Sequence, residues 1–254
     1  MCKSKLTAAV LAVAFTATGQ AADEGADSPH AFSGNIGLFS QYVFRGLTQT
    51  DGNFAVQGGI DYSHAGGFYA GTWASNISWF SDLNPGNSVS LEWDGYTGFK
   101  KSWANALTTD IGYLRYEYPG SYPALAPGIL KPNTDEFYLG LGWKWATLKY
   151  SYAVSDLFGV PDSDGSSYLD LTVSIPLPQS FALALHAGQQ KFAGSTNDDL
   201  LGYEGYRATV SYGLSSGWSA AATFTHSTAK DVGYTILKEN IGDDQFVFAV
   251  SRVL

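Results

Sequence analysis

The sequence is poor in cysteine and in charge, and beyond its N-terminus it has no long hydrophobic run. Its single cysteine is Cys2, so removal of the N-terminal segment would leave a chain without disulfides or thiol chemistry. Charged residues make up 15% of the chain, against about 25% in an average soluble domain. No apolar run after the N-terminal segment approaches the roughly 18 residues of a spanning helix, which excludes a helical membrane protein.

Aromatic residues are abundant instead, with 16 Tyr, 15 Phe and 7 Trp. The mean hydropathy is nevertheless close to zero, at −0.06. A chain combines these two properties by alternating apolar and polar residues, as transmembrane barrels do. Disordered chains lack aromatic residues, so the composition also excludes disorder.

The N-terminus has the features of a secretory signal peptide. Lys3 and Lys5 precede a short apolar stretch, and small residues follow it up to Ala21 and Ala22. We predict a cleaved signal peptide at residues 1–21, a short periplasmic segment at residues 22–30 and a β-barrel over residues 31–254.

Acidic residues outnumber basic ones by 23 to 14, for a net charge of −9. Binding to nucleic acid needs a basic footprint, and the sequence has no cluster of Lys and Arg, so nucleic acid is excluded as a partner. The acidic excess gathers in predicted loops, as in Asp243 and Asp244. We interpret it as solvated loop charge, with divalent-ion binding to the loops as the alternative.

From Ala31 onward the chain divides into segments of about ten to thirteen residues in which every second position is apolar, the pattern typical of a transmembrane barrel. Leu139 and Leu141, for example, share one face, and Tyr138 and Gly140 share the other. Short connections such as residues 177–180 and 146–147 alternate with long ones. The pattern predicts an all-β fold: a transmembrane antiparallel up-and-down β-barrel of about 12 strands with both termini periplasmic. A soluble β-sandwich also alternates, but its strands are nearer five or six residues long.

Aromatic residues collect near the predicted strand ends, where Trp and Tyr favour the membrane–water interface. This placement predicts outer-membrane lipid and lipopolysaccharide as partners. The outer group comprises Tyr42, Phe44, Trp79 and Phe80, and the periplasmic group comprises Tyr62, Phe68, Tyr69, Trp143, Trp145, Phe181 and Trp218.

The last ten residues look like a C-terminal outer-membrane insertion signal, with Phe246, Phe248 and Val250 in one phase. Leu254 stands where such signals usually have an aromatic residue. The segment predicts an interaction with the barrel-assembly machinery. A monomer and a trimer are both compatible with the sequence.

One stretch carries a family resemblance. Residues 40–52 read SQYVFRGLTQTDG, residues 55–61 read AVQGGID and residues 67–79 read GFYAGTWASNISW. Over residues 32–82 the chain resembles the TorF family of porins. The resemblance implies an outer-membrane barrel with a porin function, and it names no substrate.

The predicted function is a channel for passive diffusion of small hydrophilic solutes. A barrel of about 12 strands is wider than a filled eight-stranded barrel and narrower than an open sixteen-stranded porin, so the pore should be narrow. Charged side chains should face inward, since Lys or Arg on the lipid face costs about 2–4 kcal/mol near the midplane. Acidic residues outnumber basic ones in this set, which predicts a weak cation preference. The predicted pore-lining residues are Gln41, Arg45, Gln57, Asp61, Glu92, Asp94, Asp110, Lys144, Lys149, Asp170, His186 and Arg207, with Glu136 in the same inward phase.

Other readings of the same residues remain open. The lumen could be a salt-bridged plug, and the barrel could be a closed structural or adhesion protein that acts through its external loops. Arg45 should pair with Asp51 or a lumen carboxylate and hold the first loop, or should instead contact an anionic solute through its planar fork of donors.

An outer-membrane lipid hydrolase is a further alternative, with His186 and His226 as the candidate histidines and Ser227 or Ser211 as the serine near His226. No nucleophile motif surrounds these residues, so the chain is not predicted to be an enzyme and has no predicted catalytic residues. The four histidines are scattered, which predicts no metal site. No glycine loop joins a strand to a helix, which predicts no cofactor.

Overall fold

A computed structural model describes residues 28–123 and 125–254. The predicted signal peptide, residues 1–21, lies outside the described residues, as do residues 22–27. Among the described residues, no helix is long and apolar enough to cross a membrane. The strands in chain order are β1 His30–Phe39, β2 Val43–Phe44, β3 Leu47–Thr48, β4 Ala55–His64, β5 Phe68–Asn76, β6 Leu91–Ser102, β7 Leu107–Glu117, β8 Thr134–Trp143, β9 Ala146–Ala153, β10 Ser167–Pro176, β11 Phe181–Lys191, β12 Tyr203–Gly213, β13 Trp218–Ser227, β14 Thr235–Ile236, β15 Glu239–Asn240 and β16 Gln245–Val253. Short helices lie at Trp79–Leu83 (α1), Ser195–Leu201 (α2) and Asp231–Tyr234 (α3), with a 3₁₀ turn at Ala104–Ala106.

Twelve of these strands, β1, β4 to β13 and β16, form one closed antiparallel barrel. Each barrel strand pairs with its neighbours along the chain, and β16 closes the ring by pairing with β1. The predicted fold class and strand number are therefore confirmed. The two short pairs, β2–β3 and β14–β15, lie in loops.

Long and short connections lie at opposite ends of the barrel. The loop end carries residues 40–54, 77–90, 118–123, 125–133, 154–166, 192–202 and 228–244, and the turn end carries the short turns and both ends of the barrel segment. One predicted turn was wrong: the break between β8 and β9 falls at Lys144 and Trp145, and residues 146–147 already belong to β9. Lys144 takes a positive φ of 52° to make that turn.

The outer wall of the barrel is apolar, with exposed side chains such as Ile60, Leu139 and Phe248 alternating with inward ones. Near the turn end the exposed aromatic residues include Phe68, Trp143, Trp145, Phe181 and Trp218, all of the predicted periplasmic group.

The aromatic prediction was wrong for Tyr69, which faces the interior and is buried. It was also wrong at the loop end, because Tyr42, Phe44, Trp79 and Phe80 lie in loops or loop elements and pack against a core at the barrel mouth. Strand alternation does not govern loop residues, so their rings need not face lipid.

Glycines on the inner wall make room for tyrosine rings of adjacent strands. Tyr96 lies over Gly71, and a Cβ atom added at Gly71 would lie 2.5 Å from the Tyr96 ring. Tyr138 lies in the same way over Gly112. Because glycine has no side chain, these rings lie flat on the wall instead of standing into the lumen.

Candidate functional site

The first loop, residues 40–54, folds into the barrel mouth. Its tip is the tight hairpin β2–β3, in which Arg45 and Gly46 both have positive φ, 48° and 87°. Gly46 lies against the barrel wall, since a Cβ there would be 3.2 Å from the Cβ of Ser227 and 3.7 Å from the Cα of Gly205. A larger residue at this position would be strained by the positive φ and would crowd β12 and β13.

Arg45, at this tip, is bound to the wall by a buried ion pair. Its guanidinium donates to both carboxylate oxygens of Glu136, at 3.0 and 2.8 Å, and to the side-chain oxygen of Gln190 at 3.1 Å. The Arg45 and Glu136 side chains are only 8% and 2% exposed. The guanidinium also lies 4.3 Å from the ring centre of Tyr168, a cation–π geometry. Burial alone would lower the pKa of Arg45, but the Glu136 carboxylate outweighs it and raises that pKa above its ordinary value.

A second anchor of the first loop is Tyr42. Its hydroxyl donates to Glu92 at 2.7 Å, and the Tyr118 hydroxyl donates to the other oxygen of Glu92 at 2.9 Å. Burial, followed by the charge of Glu92, raises the pKa of both phenols. Gln41 adds a third contact by donating to Gln245 at 2.9 Å. The loop is thus held to several parts of the barrel at once.

The barrel is sealed toward the loop end, where the first loop packs inside it. Every barrel strand contributes an inward side chain no more than 9% exposed. We call this ring the belt, and its members in strand order are Phe39, Gln57, Ser75, Glu92, Tyr116, Glu136, Ser151, Tyr168, Gln190, Tyr203, Thr225 and Val247.

Asp94 is the one carboxylate in this region with no partner among the described residues. It lies on the same face of β6 as Glu92, is 1% exposed, and neither of its side-chain oxygens has a hydrogen-bond partner. Its register neighbours are the buried rings of Trp73 and Tyr116.

Toward the turn end, the interior is more accessible and is lined by charges of both signs. Asp61 and Asp110 lie on one side of the barrel, where they accept hydrogen bonds from Tyr96 and Tyr69, each at 2.6 Å. Lys149 and Arg207 lie on the other side, on β9 and β12.

Between Lys149 and Arg207 on that second side is a histidine–aspartate pair, with His186 Nε2 2.7 Å from an Asp170 oxygen. Lys149 Nζ lies 4.2 Å from the ring centre of Tyr138.

The barrel brings most of the predicted pore-lining residues into its interior. The exception is Lys144, which lies exposed in the turn with Nζ 4.4 Å from the Trp143 ring. Its assignment to the lumen was wrong because the alternation of residues 143–145 continues through the turn. Arg45 pairs with a lumen carboxylate rather than with Asp51, which is exposed. The residues that face the interior are Gln41, Arg45, Gln57, Asp61, Glu92, Asp94, Asp110, Glu136, Lys149, Asp170, His186 and Arg207.

Sequence reasoning missed Gln190 and Tyr168, both of which contact Arg45. Each lies in the same phase as a predicted lining residue, Gln190 with His186 and Tyr168 with Asp170. Extending β10 by one inward position and β11 by two would have found them.

The described residues bring neither candidate serine to the histidine proposed for a hydrolase. His226 pairs with Asp244 at 2.7 Å on the exposed face. Ser227, the next residue, points inward and donates to the Gly242 carbonyl. Ser211 lies five positions along β12 from Tyr206, the register partner of His226. In residues 28–123 and 125–254 no group of three or more His, Cys, Asp or Glu side chains is placed to hold a metal ion.

A family model described as "Bacterial protein of unknown function (Gcw_chp)" matches residues 23–254. The chain belongs to the Gcw_chp family. No curated protein sequence matches this Gcw_chp chain. Among solved structures it is similar to the KdgM porin, at 9% identity and a TM-score of 0.55, covering 87% of this chain and 98% of that one. It is also similar to the NanC porin, at 11% identity and a TM-score of 0.53, covering 88% and 98%. At these identities the Gcw_chp chain shares the fold of these porins.

Proposed function

We propose that this protein is an outer-membrane channel for passive diffusion of small hydrophilic solutes, with a narrow pore, both termini periplasmic and no catalytic step. The observation that carries the proposal is a closed twelve-strand barrel whose outer wall is largely apolar and whose interior is lined by charged side chains. The fold shared with the KdgM and NanC porins supports it. So does the resemblance of residues 32–82 to the TorF family of porins.

The outer wall supports a lipid environment. Phe32, Ile60 and Phe248 are exposed by 70%, 63% and 61%, and a soluble protein rarely exposes such a large contiguous apolar surface. The exposed tryptophans at the turn end match the aromatic belts that anchor barrels at the membrane interface. Outer-membrane lipid and lipopolysaccharide are the partners this surface would contact, and the final strand, β16, would serve the barrel-assembly machinery.

The charges of the interior support a weak cation preference. With Lys144 removed from the lumen, carboxylates remain in excess, and acidic rings favour cations. The interior carboxylates are Asp61, Glu92, Asp94, Asp110, Glu136 and Asp170, against the cations Arg45, Lys100, Lys149 and Arg207.

Planar-bilayer recording of the refolded chain tests this function. We expect discrete conductance steps, smaller than those of sixteen-stranded porins, and a reversal potential in a KCl gradient that favours K⁺. Because the belt is sealed, openings of the unmodified protein should be rare. A reversal potential that favours Cl⁻ would contradict the cation preference.

The sealed belt also favours a second candidate, a closed structural or adhesion barrel that acts through its external loops. Under that alternative, both the unmodified protein and an Arg45→Ala variant would stay silent in the bilayer while folded.

A further inference from the structure

The region around Arg45 holds more buried carboxyl groups than it has ion pairs to partner them. Glu92, Asp94 and Glu136 are each no more than 2% exposed. Arg45 forms its ion pair with Glu136, and no described cation forms an ion pair with Glu92 or Asp94. Glu92 is hydrogen-bonded to two tyrosines, whereas Asp94 has no partner in the described residues. A buried polar group without a partner is costly, and each such group calls for an explanation.

The surroundings of these carboxylates suit an organic cation. Trp73 and Tyr116 flank Asp94 in the sheet, and the Tyr42 ring lies 5.5 Å from that of Trp73. Aromatic faces attract ammonium and guanidinium groups, most strongly where water is excluded. The described residues hold no cluster arranged for a metal ion.

Arg45 shows that a guanidinium fits this region. It makes a two-pronged contact with Glu136, and its guanidinium carbon lies 5.0 Å from the Phe44 ring centre and 4.3 Å from that of Tyr168. This group is carried on a loop whose tip rests on the wall without being part of it. The chain therefore places its own guanidinium on one of three buried carboxylates.

We propose that Glu92, Asp94 and Glu136 form a binding site for a solute that carries a guanidinium or ammonium group, and that Arg45 occupies part of this site while the first loop is in place. The proposal rests on the channel function above and names the class of solute that the channel would recognise. A cationic solute would pair with Asp94 and compete with Arg45 for Glu136. Displacement of Arg45 would release the tip of the first loop from the wall.

Binding is tested without reference to conduction, by titration calorimetry of the full refolded chain in detergent micelles. The probe is ethylguanidinium, a free copy of the arginine head group, with neutral ethylurea as its control of similar shape and KCl at matched ionic strength. We expect saturable binding of ethylguanidinium and none of ethylurea. Arg45→Ala should bind the probe at least about tenfold more tightly, because the competing guanidinium is gone.

Asp94→Asn should weaken binding of the probe at least about tenfold, since it removes the unpartnered charge. This variant loses no hydrogen bond of the folded chain, so it should fold, and heat-modifiable migration on a gel checks that it does. Asp135→Asn is the matched control: Asp135 is the neighbour of Glu136 on β8, faces outward, and pairs with Arg115. It should bind the probe like the unmodified chain.

The same probe added to a planar bilayer should raise the open probability of the unmodified channel. Absence of binding to both the unmodified chain and Arg45→Ala would overturn the site, whatever the conductance. Equal binding by Asp94→Asn and by the unmodified chain would overturn it too. Binding that depends on Asp94 in a barrel that never conducts would support the site and reject the channel function.

Discussion

Replacing Arg45 with alanine should release the first loop. The change removes a bidentate ion pair whose members are 8% and 2% exposed, and it leaves Glu136 buried without its cation. Breaking a buried pair in this way costs about 3–5 kcal/mol. The ion pair joins the first loop to the barrel wall, whereas the barrel strands keep all their backbone hydrogen bonds. The variant should therefore destabilise the closed position of the loop and not the barrel. At 1.4 kcal/mol for each factor of ten, the equilibrium should shift toward release by roughly a hundredfold to a few thousandfold.

Single-channel recording measures this shift as open probability. We expect rare, brief openings of the unmodified protein and long openings of Arg45→Ala. Arg115→Ala is the control, because Arg115 also pairs with two carboxylates but is 43% exposed. The Arg115→Ala variant should have the same open probability as the unmodified protein. A folded Arg45→Ala barrel with unchanged open probability would refute the role of Arg45 in holding the loop.

Combining Arg45→Ala with Glu136→Gln distinguishes release of the first loop from destabilisation of the fold by an unpaired carboxylate. The double variant has no buried, unpaired carboxylate at position 136, so its free energy of unfolding should exceed that of Arg45→Ala alone. Its open probability should equal that of Arg45→Ala alone, because the Arg45–Glu136 ion pair is absent from both variants. If the double variant had the low open probability of the unmodified protein, charge repulsion in the belt, and not loss of the Arg45–Glu136 ion pair, would explain the opening of Arg45→Ala.

Three further predictions concern stability. Asp94→Leu should raise the free energy of unfolding by about 1–3 kcal/mol, since it replaces a buried carboxyl group that has no hydrogen-bond partner with an apolar side chain; a destabilised variant in urea titration would contradict this. Gly71→Ala should lower the free energy of unfolding by about 1–3 kcal/mol, because the new Cβ would press on the Tyr96 ring. Gly95→Ala is the control, since a Cβ there meets open space, and its free energy of unfolding should equal that of the unmodified protein. In phospholipid vesicles Leu139→Arg, on the exposed face of β8, should cost about 2–4 kcal/mol and Trp145→Arg, in a turn, about 0–1; equal costs would argue against a membrane around the barrel.

The strands were predictable because one physical contrast, lipid outside against a polar interior, sets a period of two along each of them. Leu169 and Leu171 face out, while Asp170 and Thr172 face in, as their sequence alternation predicts. The turn at Lys144 was misplaced because its tryptophan neighbours continue the same alternation across it. Alternation gives the face of a residue, but not where a strand ends.

The position of the first loop could not be predicted from the sequence. Arg45 and Glu136 are separated by 91 positions, and periodicity assigns each to a face without saying which residues meet across the interior. The nearby Asp51 was an equally reasonable partner for Arg45. The contact with Glu136 depends on the hairpin tip resting on β12 and β13, a consequence of barrel closure that no local pattern records.

Glycines under the tyrosine rings imply that the bore of this barrel is not fixed by its number of strands alone. A tyrosine ring over Gly71 or Gly112 lies against the inner wall of the barrel. A side chain at either glycine position would tilt that ring toward the barrel axis. The diameter could therefore be reduced in single-residue steps at chosen depths, with strand number and tilt unchanged. Pores of graded calibre could be engineered from this one scaffold in the same way.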